Sequence, residues 1–214
     1  MGIASFSGAS SVIKPGVVTS STRPSSPFVG QLIYETDTAR LAAYNGSAWV
    51  TQNGLQLVKT QTIGTAVSSV TVSDAFSSTY DNYKVLIIGG VSSGGADVNL
   101  QLGSTTTGYY RSSIYGTFAG GAATNDSVSN GSSFTSVGFG NTGSLHVDFE
   151  LISPNLAKST VIKIAWIRAE TGGRAGFSGG FVDNTTQYTA FTLTNNFAAT
   201  FTGGTICVYG YAKA

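Results

Sequence analysis

The sequence predicts an all-β chain: an N-terminal extended arm, a small β-meander, and an antiparallel β-sandwich of jelly-roll-like type. Three observations lead there. Short runs rich in β-branched and aromatic residues recur, and no window of a dozen residues sustains a helical period. Clusters of Gly, Ser, Asn and Asp separate the runs, as turns do in all-β domains. Charged residues are only 10% of the 214, against about 25% in an ordinary globular domain, yet hydrophobic residues are 41%. A disordered chain would be poor in both.

Residues 1–30 have no regular period and contain Pro15, Pro24 and Pro27. Each proline removes a backbone donor and biases its predecessor toward extended conformations. This segment is expected to be an arm that orders against a neighbour. Its start, Met1-Gly2-Ile3-Ala4-Ser5-Phe6, lacks the basic region and long apolar stretch of a signal peptide. The expectation is therefore a protein made in the cytoplasm. The run Val85–Val91 is interrupted by Gly89 and Gly90 and is far too short to cross a bilayer, so no membrane insertion is expected.

Residues 31–54 read as a meander and trimerisation segment. Gln31–Glu35 and Arg40–Tyr44 flank a polar turn, and Asn45-Gly46 is a strong hairpin signal because a type I′ turn needs positive φ at both central residues. A two-residue turn there pairs Tyr44 with Ser47 and Ala42 with Trp49. So small a sheet cannot hold a core alone. Tyr34, Tyr44 and Trp49 are expected to cover one another across identical subunits around a three-fold axis.

Residues 55–214 carry the sandwich. Its clearest strand candidates are Leu55–Ile63, Val67–Val72, Tyr83–Val91, Asp97–Leu102, Leu145–Ile152, Thr160–Arg168, Tyr188–Thr194 and Thr205–Tyr211. In Leu145–Leu151 the apolar residues face one way and His146, Asp148 and Glu150 the other. A four-residue loop, Pro154–Ala157, sets Phe149 against Ile162, Val147 against Ile164 and Asp148 opposite Lys163. Both faces agree, as a correct register requires.

Motifs that could carry chemistry are sparse. His146, Asp148 and Glu150 line one strand face, but residues two apart on a strand are separated by roughly 6.5–7 Å, so such a row does not converge on a metal unaided. Gly138–Gly143 matches the bare dinucleotide-binding string, yet it leads into a strand where the fingerprint needs a helix. His146 is the only histidine, and no nucleophile elbow precedes a helix. Cys207 is the only cysteine, excluding an intrachain disulfide; the alternation around it predicts a buried thiol. A net charge of +1 argues against a nucleic-acid partner. No cofactor, no metal and no catalysis are expected.

The segment Gly103–Gly143 differs in kind. Tyr109, Tyr110, Arg111 and Tyr115 stand beside small polar residues, the mix of adaptable binding surfaces. They are candidate receptor contacts; the alternative is that these tyrosines pack in the core of the assembly.

The stretch Thr22-Arg23-Pro24-Ser25-Ser26-Pro27-Phe28-Val29-Gly30-Gln31-Leu32-Ile33-Tyr34-Glu35-Thr36-Asp37-Thr38, followed by Asn45-Gly46-Ser47-Ala48-Trp49-Val50, resembles a segment of bacteriophage tail-fibre and minor tail proteins. Tyr80–Tyr83 and Gly203–Tyr211 resemble the C-terminal domains of such virion proteins more loosely. The resemblance implies a homotrimeric structural component of the particle. Residues 1–54 would then grip other virion proteins, and the sandwich would bind a host surface glycan or protein as a tail-fibre or tail-tip adhesin. A capsid decoration protein is the alternative, and a glycan-degrading tailspike-type enzyme a third reading.

Overall fold

The computed structural model describes residues 15–51 and 54–213; residues 1–14 of the expected arm lie outside them. Among the described residues every regular element is a strand, and the chain divides into two compact units, Met1–Asn53 and Gly54–Ala214.

The first unit is a four-stranded sheet of β1 (Gly16–Val18), β2 (Leu32–Glu35), β3 (Arg40–Tyr44) and β4 (Trp49–Thr51), in that order. The meander forms as the alternation requires, but the arm is more than an arm: β1 pairs in parallel with β2. The β3–β4 turn also differs from expectation. Tyr44 pairs with Trp49 and Ala42 with Thr51. The reason is Asn45, whose side-chain oxygen accepts from the Ser47 and Ala48 backbone N–H groups while its own N–H donates to the Ala48 carbonyl. This side-chain turn closes a wider loop than a two-residue one.

That register divides the expected aromatic trio. Tyr44 and Trp49 lie on the side of Ile33 and Ala42, their ring centroids 5.5 Å apart. Tyr34 points to the opposite side with Leu32, Leu41 and Val50, all exposed. Tyr44 and Trp49 thus cover each other within one chain. On their side Glu35 is buried, with its carboxylate bonded by the Arg23 guanidinium and the Thr38 hydroxyl.

The second unit holds β5 (Leu55–Thr62), β6 (Ser69–Val72), β7 (Asn82–Ile88), β8 (Val91–Ser92), β9 (Ala96–Leu102), β10 (Tyr109–Thr117), β11 (Thr124–Gly131), β12 (Phe134–Asn141) and β13 (Ser144–Ile152). It continues with β14 (Val161–Ile167), β15 (Arg174–Val182), β16 (Phe191–Asn195), β17 (Phe201–Thr202) and β18 (Thr205–Tyr211). A long antiparallel sheet runs β5-β18-β7-β13-β14-β15-β10-β11. A short one runs β6-β16-β9-β12 and joins the long sheet at β13. β8 and β17 form a small separate ladder.

The two sheets share one core. Val72, Val98, Leu100, Phe134, Phe191 and Leu193 of the short sheet belong to the same buried cluster as Tyr83, Val85, Phe149, Leu151, Ile162, Ile164 and Val208 of the long one. The arrangement is consistent with a β-sandwich. Cys207 is a free, buried thiol. Gly138–Gly143 is a hairpin: Asn141 pairs with Ser144, and the Asn141 side chain accepts from the Gly143 and Ser144 N–H groups. No helix follows to receive a pyrophosphate.

The β13–β14 hairpin has the expected faces and a different register. Phe149 pairs with Ile164, Leu151 with Ile162, and Glu150, not Asp148, stands opposite Lys163. The slip is two residues, so inward side chains stay inward. Its cause is the loop Ser153–Thr160, which is held from outside the hairpin: Ser153 N–H donates to the Asp81 carbonyl, and Tyr188 N–H to the Pro154 carbonyl.

Glu35 gives the small sheet an acid limit. The Arg23 guanidinium holds its carboxyl below the usual carboxylate range, with help from Thr38. A lowered folded value stabilises above the unfolded value and is lost as pH falls through the folded one. The Trp49 indole N–H resonance should therefore shift below about pH 4, and Arg23→Gln should move the onset to higher pH. An onset indifferent to Arg23 would remove the ion pair from this role.

Candidate functional site

Alternation along β14, β15 and β10 aims Ile162, Ile164 and Trp166 inward and leaves the other face of the long sheet to be read row by row. Tyr110, Phe181 and Val161 form one row across the strands, and Ser112, Gly179 and Lys163 the next. Ile114, Phe177 and Ala165 follow, then Gly116, Ala175 and Ile167. Two bulky rows thus flank a low one whose floor is Gly179. A side chain there would meet nothing within 4 Å.

Toward β13 and β7 this face becomes charged. Glu150 stands between Lys84 and Lys163 in register. Asp148 ion-pairs with Lys84, and the Tyr211 hydroxyl donates to Glu150 at 2.6 Å. That bond to a carboxylate raises the Tyr211 phenol to about 12. Both carboxylates are therefore engaged by neighbours.

Two adjoining concavities share Asp148, Ala165 and Phe177, with volumes of about 790 and 730 Å3. The first lies over Ser112, Gly179 and Lys163. The second opens where the sheets fork. The β13–β14 ladder ends at Phe149 and Ile164, and the preceding part of β13 pairs with β12 instead. Leu86, Val137, His146 and Trp166 line the fork. Among the described residues no group of three or more His, Cys, Asp or Glu could hold a metal ion.

The residues singled out from the sequence scatter. Tyr109 is fully buried against Phe134; its hydroxyl accepts from Leu102 N–H and donates to the Thr105 carbonyl. Burial pushes that phenol up to about 12. Arg111 is buried too, bonded to Asp126 and Thr135. Tyr115 packs inward on Trp166 beneath the Arg174 guanidinium. Only Tyr110 reaches the outer face, where its ring stacks on Phe181 at 5.0 Å. Tyr109 and Arg111 are not surface contacts, because alternation along β10 points both into the sandwich. Sequence reasoning missed Phe177 and Phe181. Their signal was the spacing Phe177-x-Gly179-x-Phe181, which puts both rings on one face of an extended strand.

The chain matches no protein-family model, no curated protein and no solved structure.

The orientation of β10 separates two adjacent tyrosines energetically. Tyr109→Phe leaves the buried Leu102 N–H without a partner and should destabilise the second unit by about 1–3 kcal/mol in denaturant unfolding. Tyr110→Phe removes a hydroxyl at a half-exposed ring and should change stability by less than about 0.5 kcal/mol. Equal costs would contradict the inward placement of Tyr109.

Proposed function

We propose that the chain is a non-enzymatic structural protein of a bacteriophage virion, a homotrimeric tail-fibre or tail-tip adhesin that attaches the particle to its host. The structural observation that supports this reading is the strand order. The sets β5-β18-β7-β13 and β6-β16-β9-β12 support a jelly roll, since the chain passes between them in the sequence long, short, long, short, short, long, short, long. Two hairpin partners extend the pattern: β10–β11 falls between β9 and β12, and β14–β15 between β13 and β16. Both join the edge beyond β13. Jelly rolls are common among viral coat and lectin domains, where two packed sheets display loops and faces to partners. Fold alone does not carry a function; the resemblance of Thr22–Val50 to tail-fibre segments points the same scaffold to the virion.

Chemistry on the outer face favours binding over turnover. Asp148 is ion-paired with Lys84 and Glu150 accepts a hydrogen bond from the Tyr211 hydroxyl, so neither carboxylate is left free to act as a paired acid and base. Residues 1–54 are proposed to grip neighbouring virion proteins.

Immunogold labelling of intact particles with antibody against residues 54–214 is expected to place gold at the tail end, and purified protein should block adsorption of the particle to cells. Gold scattered over the head, with adsorption unaffected, would make the chain a capsid decoration protein instead.

A further inference from the structure

We infer that the outer face of β14, β15 and β10, centred on Phe177, is the surface through which a second copy of this chain docks. The inference rests on the reading of the chain as a homo-oligomer, and it names a surface that the aromatic trio of the small sheet does not include.

Exposure makes the first part of the case. Phe177 is 69% exposed, Phe118 59%, Ile114 57%, Ile167 53%, Phe181 41% and Val161 36%. The register places all but Phe118 on the outer side of neighbouring strands. Phe118 follows β10 two residues past Gly116, on the same side, with its N–H bonded to the Gly173 carbonyl. An aromatic side chain buries about 150–250 Å2 when covered. Together these side chains leave on the order of 600 Å2 of apolar surface open, at the upper end of the roughly 300–600 Å2 found for the largest patch on a monomer, a patch that is often functional. A standard interface takes roughly 800 Å2 from each partner, so this patch with its polar margin is the size of one protomer's share.

Charge selects the occupant. Lys84 and Lys163 on this face are balanced by Asp148 and Glu150, and the whole chain carries 11 basic against 10 acidic residues. Nucleic acid or an anionic membrane would call for a basic excess. A second copy is itself nearly neutral and poor in charge, so it meets this face without burying an unpaired charge. Relief also suits packing of side chains from another protomer. Between the bulky rows of Phe181 and Phe177, the low row of Ser112 and Gly179, bordered by Lys163, is a socket in which a side chain at Gly179 would meet nothing within 4 Å.

Sedimentation equilibrium of the full chain tests this, with wild type beside Phe177→Asp and Ile114→Asp. Wild type should be trimeric at micromolar concentration. Each variant should weaken association by about 30-fold or more while keeping the wild-type far-ultraviolet spectrum, because neither side chain is in the core. A trimeric wild type whose two variants associate as tightly would overturn the inference and leave the homotrimer reading standing. A wild type monomeric at tens of micromolar would overturn both. Should the variants misfold, a photo-crosslinking phenylalanine analogue placed at 177 in the full chain decides. A product joining two copies supports the docking surface. A product confined to one chain, or one formed with a different virion protein, removes it.

Discussion

The second unit depends on β13 serving two sheets. Its last residues ladder with β7 and β14, and its first with β12. Leu145, Val147, Phe149 and Leu151 all point inward along its length, so one strand supplies core to both layers. The close approach at the changeover is made possible by Gly138, where a Cβ would sit 2.3 Å from the His146 carbonyl oxygen. A single side chain there would push β12 off β13 and part the short sheet from the long one. The fork on the outer face is the other side of the same arrangement: β14 cannot follow β13 once β12 has taken its place.

Much of this architecture was legible wherever large apolar residues alternate. β5, β6, β9, β13, β14 and β18 fall within two residues of the runs read from the sequence, β7 ends three residues short of its run, and the faces of β13 and β14 are the expected ones. Their pairing slipped by two because the connecting loop is fastened to Asp81 and Tyr188, contacts that no local pattern announces. Among the strands that were not legible, β15 is rich in glycine and β11 is mostly polar. In β15, a Cβ at Gly176 would lie 2.4 Å from the Ile114 carbonyl oxygen, and one at Gly180 would lie 2.3 Å from that of Tyr110. Glycine there marks a tight approach between strands, although in sequence it reads as a turn.

The candidate site was harder to read for a related reason. Along Tyr109–Tyr115 the inward set includes Arg111, a residue that is almost never fully buried unless paired. Asp126 of β11 and Thr135 of β12 supply that pairing, and neither is near in sequence. Tyr109, Tyr110, Arg111 and Tyr115 stand together in sequence, but alternation along β10 sends Tyr109, Arg111 and Tyr115 inward and only Tyr110 outward, beside Phe181.

The strand at the far end of the long sheet has a consequence of its own. β11, Thr-Asn-Asp-Ser-Val-Ser-Asn-Gly, pairs with β10 alone among the described residues, and its register shifts between Tyr109 and Arg111. An unpaired border is ordinarily a template on which a stray chain can add itself and begin a fibril. Here that border is polar apart from Val128, carries Asp126 and is broken by the register shift, so it offers a poor seed. Where many copies are crowded together, the sheet is thereby protected from growing sideways.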